Sequence, residues 1–393
     1  MKNRIINDFL LRYEKFGGII ATNNPPALTF VDKNYIQELG RSSDLLWDET
    51  DNGILSAPIE AHYAITDYCT LCCSGCYMSS SDDITKLNDK KEDVHKAISI
   101  AKILSDMGIF HVALGGGESF SIPWFFELAE CFRKQNVIPN VTTNGHLITP
   151  ENIEKCKVFG QVNISLDMIT NDVKTSRPEN HFKEADKAIN LLQKYNIRVG
   201  INCVITNKNF DYLEQIISYV SKKNLVDIEF LRFKPSGRGK EIYDQMRLNK
   251  DQVIDLYPKL KKLARKYRVN IKLDCSFTPF ICYHNPPKKV LEYFAIMGCD
   301  AGNWLIGVDP KGRASPCSFI EGEDIPLEQL ANSWNNEETF SIFRNWGKDL
   351  NTICNSCKYL EICKGGCHAV SRFVNGSLNT PDPECPFVVR GYV

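Results

Sequence analysis

Cys69, Cys73 and Cys76 follow directly on the alternating run Ile59-Glu60-Ala61-His62-Tyr63-Ala64-Ile65-Thr66. The C-x3-C-x2-C spacing gathers three thiolates at the end of one strand, and soft sulfur ligands suit iron. Three thiolates hold three irons of a [4Fe–4S] cube and leave the fourth open to a substrate or cofactor. Such a cluster can react as well as carry electrons. A zinc knuckle or a chance group of buried cysteines is the competing reading of the same spacing.

A second array lies towards the C-terminal end. Cys299 is followed by Gly312 and Cys317, then by Cys354, Cys357, Cys363, Cys367 and Cys385. The pattern is C-x12-G-x4-C, a gap, C-x2-C-x5-C-x3-C, a gap, C. A zinc ribbon explains one C-x2-C pair but not all seven thiols. Cys131, Cys156 and Cys203 have no metal spacing and read as small buried hydrophobes. Cys72, inside the first loop, reads as a packing residue.

These thiols belong to a chain of 393 residues with sixteen cysteines, 43% hydrophobic content and a net charge of −1. The length allows two domains, or one with an appendage. Balanced charge gives no pull towards nucleic acid or anionic lipid, so neither is expected as a partner. No apolar run approaches the roughly 20 residues of a membrane span. The start, Met1-Lys2-Asn3-Arg4-Ile5-Ile6, lacks the features of a signal peptide. The expectation is a cytoplasmic protein whose clustered cysteines hold metal rather than disulfides. So large an iron–sulfur load also suggests an anaerobic host.

Short apolar strands alternate with amphipathic helices from about 59 to 233, the pattern of a parallel α/β sheet. Strands are expected over 60–66, 109–114, 137–142, 160–166, 197–204 and 226–233, with helices over 92–107, 122–135, 180–195 and 209–222. Six such units predict an open partial (β/α)6 barrel with its chemistry at the C-terminal strand ends. Ahead of it, 18–22 and 27–31 read as a hairpin around Asn23-Asn24-Pro25-Pro26, with a helix over 33–40. A basic helix carrying Lys259, Lys261, Lys262, Arg265, Lys266 and Arg268 reads as a solvated face. Gly307–Gly312 reads as a hairpin turn that brings Cys299 and Cys317 together. The expected division is 1–58, 59–240 for the barrel, 241–294 as a bridge and 295–393 for the second cysteine array.

The first cysteine motif, followed by Leu114-Gly115-Gly116-Gly117-Glu118-Ser119 after the second strand, resembles the radical S-adenosylmethionine (SAM) enzymes. In that family SAM chelates the open iron, and one electron cleaves it to methionine and a 5′-deoxyadenosyl radical. The resemblance implies SAM contacts from Gly116, Gly117 and Glu118, from Asn144 in Thr142-Thr143-Asn144-Gly145, and from Ser165 in Asn163-Ile164-Ser165-Leu166-Asp167. Asp167 shares Ser165's face and serves SAM, substrate or a helix cap. Asn202, Arg232 and Tyr77 complete the implied cofactor-binding set. Two positions depart from the family pattern: Ser119 stands where proline is usual, and Gly75 where an aromatic residue is.

The second array resembles the SPASM domain, which holds two auxiliary [4Fe–4S] clusters. This implies Cys299, Cys317 and Cys367 for the first and Cys354, Cys357, Cys363 and Cys385 for the second, three clusters in all. The first then lacks a fourth ligand. Either Cys282 or Cys275 closes it, or one iron stays open for a substrate thiolate. The expected function is modification of a ribosomally made precursor peptide by thioether or carbon–carbon cross-linking. A flavodoxin or ferredoxin is the expected electron donor. The alternatives are a formylglycine-forming sulfatase maturase, a peptide or small-molecule epimerase or dehydrogenase, and a non-enzymatic electron carrier. The 1–58 segment is a candidate docking edge for a leader peptide by strand addition.

Overall fold

The computed structural model describes residues 4–6, 9–23, 26–43, 47, 53–170, 173–336, 338–347 and 352–389. The chain opens with a four-stranded antiparallel sheet in simple order: β1 (Arg4–Ile6), β2 (Phe9–Glu14), β3 (Gly17–Asn23) and β4 (Pro26–Asp32). The β3–β4 pair is the expected hairpin. Its turn residues Asn24 and Pro25 lie outside the described residues. Asp32 then caps helix α1 (Lys33–Glu38), accepting from the Tyr35 amide.

β2 carries charge in its buried face. Arg12 and Glu14 are each 1% exposed and pair at 2.8 Å. The Arg12 guanidinium also donates to the carbonyls of Pro58, Gly108 and Ala57, and Glu14 accepts from the Ser56 amide and hydroxyl. These bonds anchor the small sheet to the strand that precedes the cysteine loop. Apolar contact among Leu10, Ile19, Leu55, Ile59 and Phe110 completes the seam.

All six expected barrel strands form: β5 (Glu60–Thr66), β6 (His111–Gly116), β7 (Ile138–Thr143), β8 (Val162–Ser165), β9 (Val199–Ile205) and β10 (Ile228–Arg232). Each is parallel to its neighbour. Helices Lys91–Met107, Phe125–Lys134, His181–Lys194 and Leu213–Lys222 alternate with them. Two further parallel strands flank the six: β11 (Ile271–Leu273) beside β10 and β12 (Leu305–Val308) beside β5. The expected hairpin after β12 forms with β13 (Arg313–Ser315), and β14 (Ile325–Pro326) closes a ten-stranded sheet.

The faces follow the two-residue period of a strand. On β5, Ala61, Tyr63 and Ile65 belong to the main apolar core with helix residues such as Ala97, Ala101 and Leu104. Glu60, His62 and Ala64 therefore face the barrel lumen. The basic helix, Lys250–Tyr267, buries Val253, Leu256, Leu260 and Leu263 and leaves its cations outward. Among the described residues no helix is long and apolar enough to cross a membrane.

Candidate active site

Cys69, Cys73 and Cys76 sit on the loop that leaves the C-terminal end of β5, each partly buried. Burial pushes the Cys69 thiol up to about 11; the Leu71 amide opposes this, while Glu118, Cys73 and Cys76 add to it. Thiols crowded in this way ionise readily only against a cation. Among the described residues no three His, Cys, Asp or Glu side chains converge on a single metal ion. A cube spreads its thiolates over separate irons, so it asks for wider spacing than one ion does. The loop is fixed from outside: Arg238 Nε and Nη2 donate to the Cys73 carbonyl at 3.0 and 2.8 Å, and the Ser236 hydroxyl donates to the Tyr77 carbonyl. The Tyr77 ring packs on Phe319 at 5.1 Å.

Cys72 is not a packing residue. It is exposed, at φ +46°, and its thiol points back to the Cys69 carbonyl. Gly75 has a steric reason. A Cβ there would meet the Phe233 ring and Ser176, so the space of an aromatic residue is already filled from the end of β10.

The glycines after β6 approach backbone rather than open space. Gly116 lies at φ +110°, and a Cβ on Gly117 would land on the Tyr68 carbonyl. The Gly117 and Glu118 amides donate to Thr66 and Tyr68 carbonyls at 2.7 Å, clamping this turn to the cysteine loop. The Glu118 carboxylate is 2% exposed and accepts from Thr143 Oγ1 (2.7 Å), the Asn144 amide (2.9 Å) and the Phe120 amide (3.2 Å). It thereby joins the ends of β6 and β7. Asn144 in turn places its Nδ2 at 3.9 Å from Cys69 Sγ.

Ser165 and Asn202 are registered neighbours on β8 and β9, and Glu229 is registered with Asn202 on β10. Asn202 Nδ2 donates to Thr142 Oγ1, while its Oδ1 is buried with no partner. A buried, unpaired carbonyl oxygen in the lumen below the cysteine loop fits an ammonium or hydroxyl donor. The residues present thus fit SAM beside a cluster held by the three thiols.

Behind Ser165 runs a histidine pair that the sequence did not announce. His181 Nε2 donates to the Ser165 carbonyl at 2.6 Å, so its Nδ1 accepts from His146 Nε2 at 3.0 Å. Burial, then the Arg177 charge, pushes His181 down to about 3, consistent with neutral imidazoles in this chain. Asp167 is committed to structure: it accepts from Arg177 Nε at 2.7 Å and the Val204 amide at 2.9 Å.

Arg232 departs further from its expected role. Its guanidinium does not face the lumen cofactor set. It is bidentate to Asp382, donates to Glu384 and to the Ser276 carbonyl, and lies 5.0 Å from the Phe280 ring centroid. β10 therefore ends by binding the C-terminal segment.

The C-terminal thiols fall in two groups. Cys299, Cys317 and Cys367 share one apolar cluster with Phe233, Phe319 and Phe343. Cys354, Cys357, Cys363 and Cys385 line one cavity together with Cys282, whose thiol bonds that of Cys363. Cys275 lies elsewhere, on the turn after β11, within electrostatic reach of Cys299 and Lys234. Lys234 pairs with Asp274 at 2.5 Å and stands 4.4 Å from the Phe319 centroid.

Residues 63–220 match the Radical SAM superfamily. The chain is 29% identical over 343 residues to the mycofactocin maturase MftC of Mycobacterium tuberculosis, covering 84% of this chain and 83% of that one. Its fold is similar to Streptococcus suis SuiB bound to the precursor peptide SuiA, with TM-score 0.71 and 18% identity over 98% of this chain and 99% of that one. It is also similar to anSMEcpe with bound AdoMet and the Cp18Cys peptide, with TM-score 0.64 and 19% identity over 85% and 94% of the two chains.

Proposed function

We infer that this chain, which carries a radical SAM domain over residues 63–220, is an enzyme that modifies a ribosomally made precursor peptide by forming a thioether or carbon–carbon cross-link. One observation carries the reading. A loop of three crowded thiols stands over a lumen whose Asn202 carbonyl oxygen is buried and unpaired. One relative is named a mycofactocin maturase and another a PqqA peptide cyclase, and two similar folds are seen with peptides. When bound, SAM and its [4Fe–4S] cluster supply the means to remove a hydrogen atom from unactivated carbon.

The protein's own residues position and shield that step. Cys69, Cys73 and Cys76 would hold the cluster. Asn144 stands beside Cys69, and Glu118 fixes Asn144. Ser165, whose backbone carbonyl is held by His181, and Asn202 would line the SAM side of the lumen. Gly116 and Gly117 let the β6 turn lock onto the loop, and Tyr77 closes its far end against Phe319.

The C-terminal thiols would hold two auxiliary clusters in a unit beginning near 295. Cys275 is the fourth ligand of the first, with Cys299, Cys317 and Cys367. Cys282 packs with the second group instead, which already has four thiols. No iron is then left open for a substrate thiolate. The expected result is that Cys275→Ala loses iron and alters the low-temperature EPR of the reduced protein, whereas Cys282→Ala keeps the wild-type iron content. The reverse outcome removes Cys275 from the ligand set.

A leader peptide would add to the outer edge of β4, which has no strand beyond it among the described residues. A flavodoxin or ferredoxin supplies the electron, in the cytoplasm. The function is tested by co-expressing the chain with short peptides encoded beside its gene and weighing them. A matching peptide loses a pair of hydrogens per cross-link. Peptides of unchanged mass, from cells in which SAM is cleaved, overturn the cross-linking reading.

A further inference from the structure

The lumen holds a second set of polar groups that none of the SAM contacts uses. Glu60 Oε1 lies 2.5 Å from His62 Nε2, and Glu60 Oε2 lies 2.8 Å from His111 Nδ1. Glu60 and His62 face the lumen from β5, and His111 is registered with Glu60 at the start of β6. All three stand partly open to that space, with His62 at 38% side-chain exposure. The Glu60 bond fixes the ring: Nε2 carries the proton, so Nδ1 is the acceptor, and no described residue bonds it. The charged groups facing this imidazole are Glu60 on its own strand, Glu229 from β10 and Lys234 just beyond β10. Asp300, ahead of β12, also has Glu60 and His62 among its electrostatic neighbours. Glu229 is registered with Asn202 of the SAM row. Four residues along β5 put His62 about 13 Å below the Thr66 end. It therefore stands deeper in the barrel than the SAM row, on the side of Asp300.

We propose that His62 is the proton acceptor for the cross-linking reaction, oriented by Glu60. The inference rests on the proposed function. Joining two sites as R–H and R′–H to R–R′ removes two hydrogens. One leaves as a hydrogen atom in the SAM-dependent step. The other leaves as a proton to His62 Nδ1 and an electron to a one-electron iron–sulfur acceptor, which a cluster held by Cys275, Cys299, Cys317 and Cys367 would supply. For a thioether the proton is the thiol's own. The arrangement is that of a carboxylate-oriented imidazole base.

The sign of the pH dependence follows from the neighbours. Burial opposes a charged imidazole, but Glu60 outweighs it and raises His62 above 6.5. Neutral His62 is the competent form, so cross-link formed per 5′-deoxyadenosine rises with pH through a limb above 6.5. The test uses the reconstituted full-length enzyme with the peptide identified by co-expression. His62→Gln is expected to lower that ratio on the order of 10²-fold and abolish the limb. Glu60→Gln is expected to shift the limb to lower pH, a change that a purely structural role does not produce. Wild-type ratio and limb in His62→Gln, or an unmoved limb in Glu60→Gln, overturns the proposal. A wild-type enzyme that forms no cross-link overturns the function reading, and this inference with it.

Discussion

Alanine at Cys69, Cys73 or Cys76, one at a time, abolishes reductive cleavage of SAM to 5′-deoxyadenosine. Each variant also loses about four of the roughly twelve irons expected for three [4Fe–4S] clusters. The effect is this large because no neighbouring group can take over. Cys72 is the one other thiol in the loop, and its position at φ +46° turns it towards the Cys69 carbonyl and solvent. Asn144 and Glu118, polar side chains beside Cys69, are tied to each other and to Thr143. Cys72→Ala is therefore the matched control and keeps both iron and cleavage. Iron analysis and chromatography of the nucleoside read the two quantities separately. A triad variant that cleaves SAM at the wild-type rate removes the three thiols from the cluster and the function with them.

The six barrel strands were legible because each has apolar residues on a period that the sheet and its helices then bury, as Ala61, Tyr63 and Ile65 do. β11 escaped because a strand of three residues carries too little pattern, and β12 was foreseen only as the flank of a hairpin turn. β2 escaped for a different reason. Its buried positions include Arg12 and Glu14, and a charged residue reads as exposed until its partner is known. The resemblance to the SPASM domain implied which cysteines group together, but left Cys275 and Cys282 both open. Cys275 stands within electrostatic reach of Cys299, whereas Cys282 faces Cys363. The His146–His181 pair behind Ser165 joins residues 35 apart with no local motif. Arg232 was misassigned because the resemblance supplied a role at the end of β10, whereas its partners lie 150 and 152 residues further along.

Those partners make Arg232 the residue whose truncation should cost most in stability. Its side chain is 3% exposed, against 0% for Asp382 and 7% for Glu384. Tyr243 also donates to Glu384, and the Asp382 carboxylate accepts from the Cys367 amide and the Glu384 amide. Arg232 thus connects β10 to the segment that carries Cys385, and through Asp382 to the Cys367 amide. Arg232→Met keeps much of the stem but leaves two carboxylates buried without their cation. Removing one partner of a buried pair costs about 3–5 kcal/mol, and here one cation serves two anions. Denaturant unfolding should show the midpoint falling by that equivalent. The iron of the C-terminal thiols should fall in parallel while SAM cleavage persists at the first site. A midpoint within about 0.5 kcal/mol of wild type would mean that the carboxylates find water or another donor, and that the C-terminal segment docks without this ion pair.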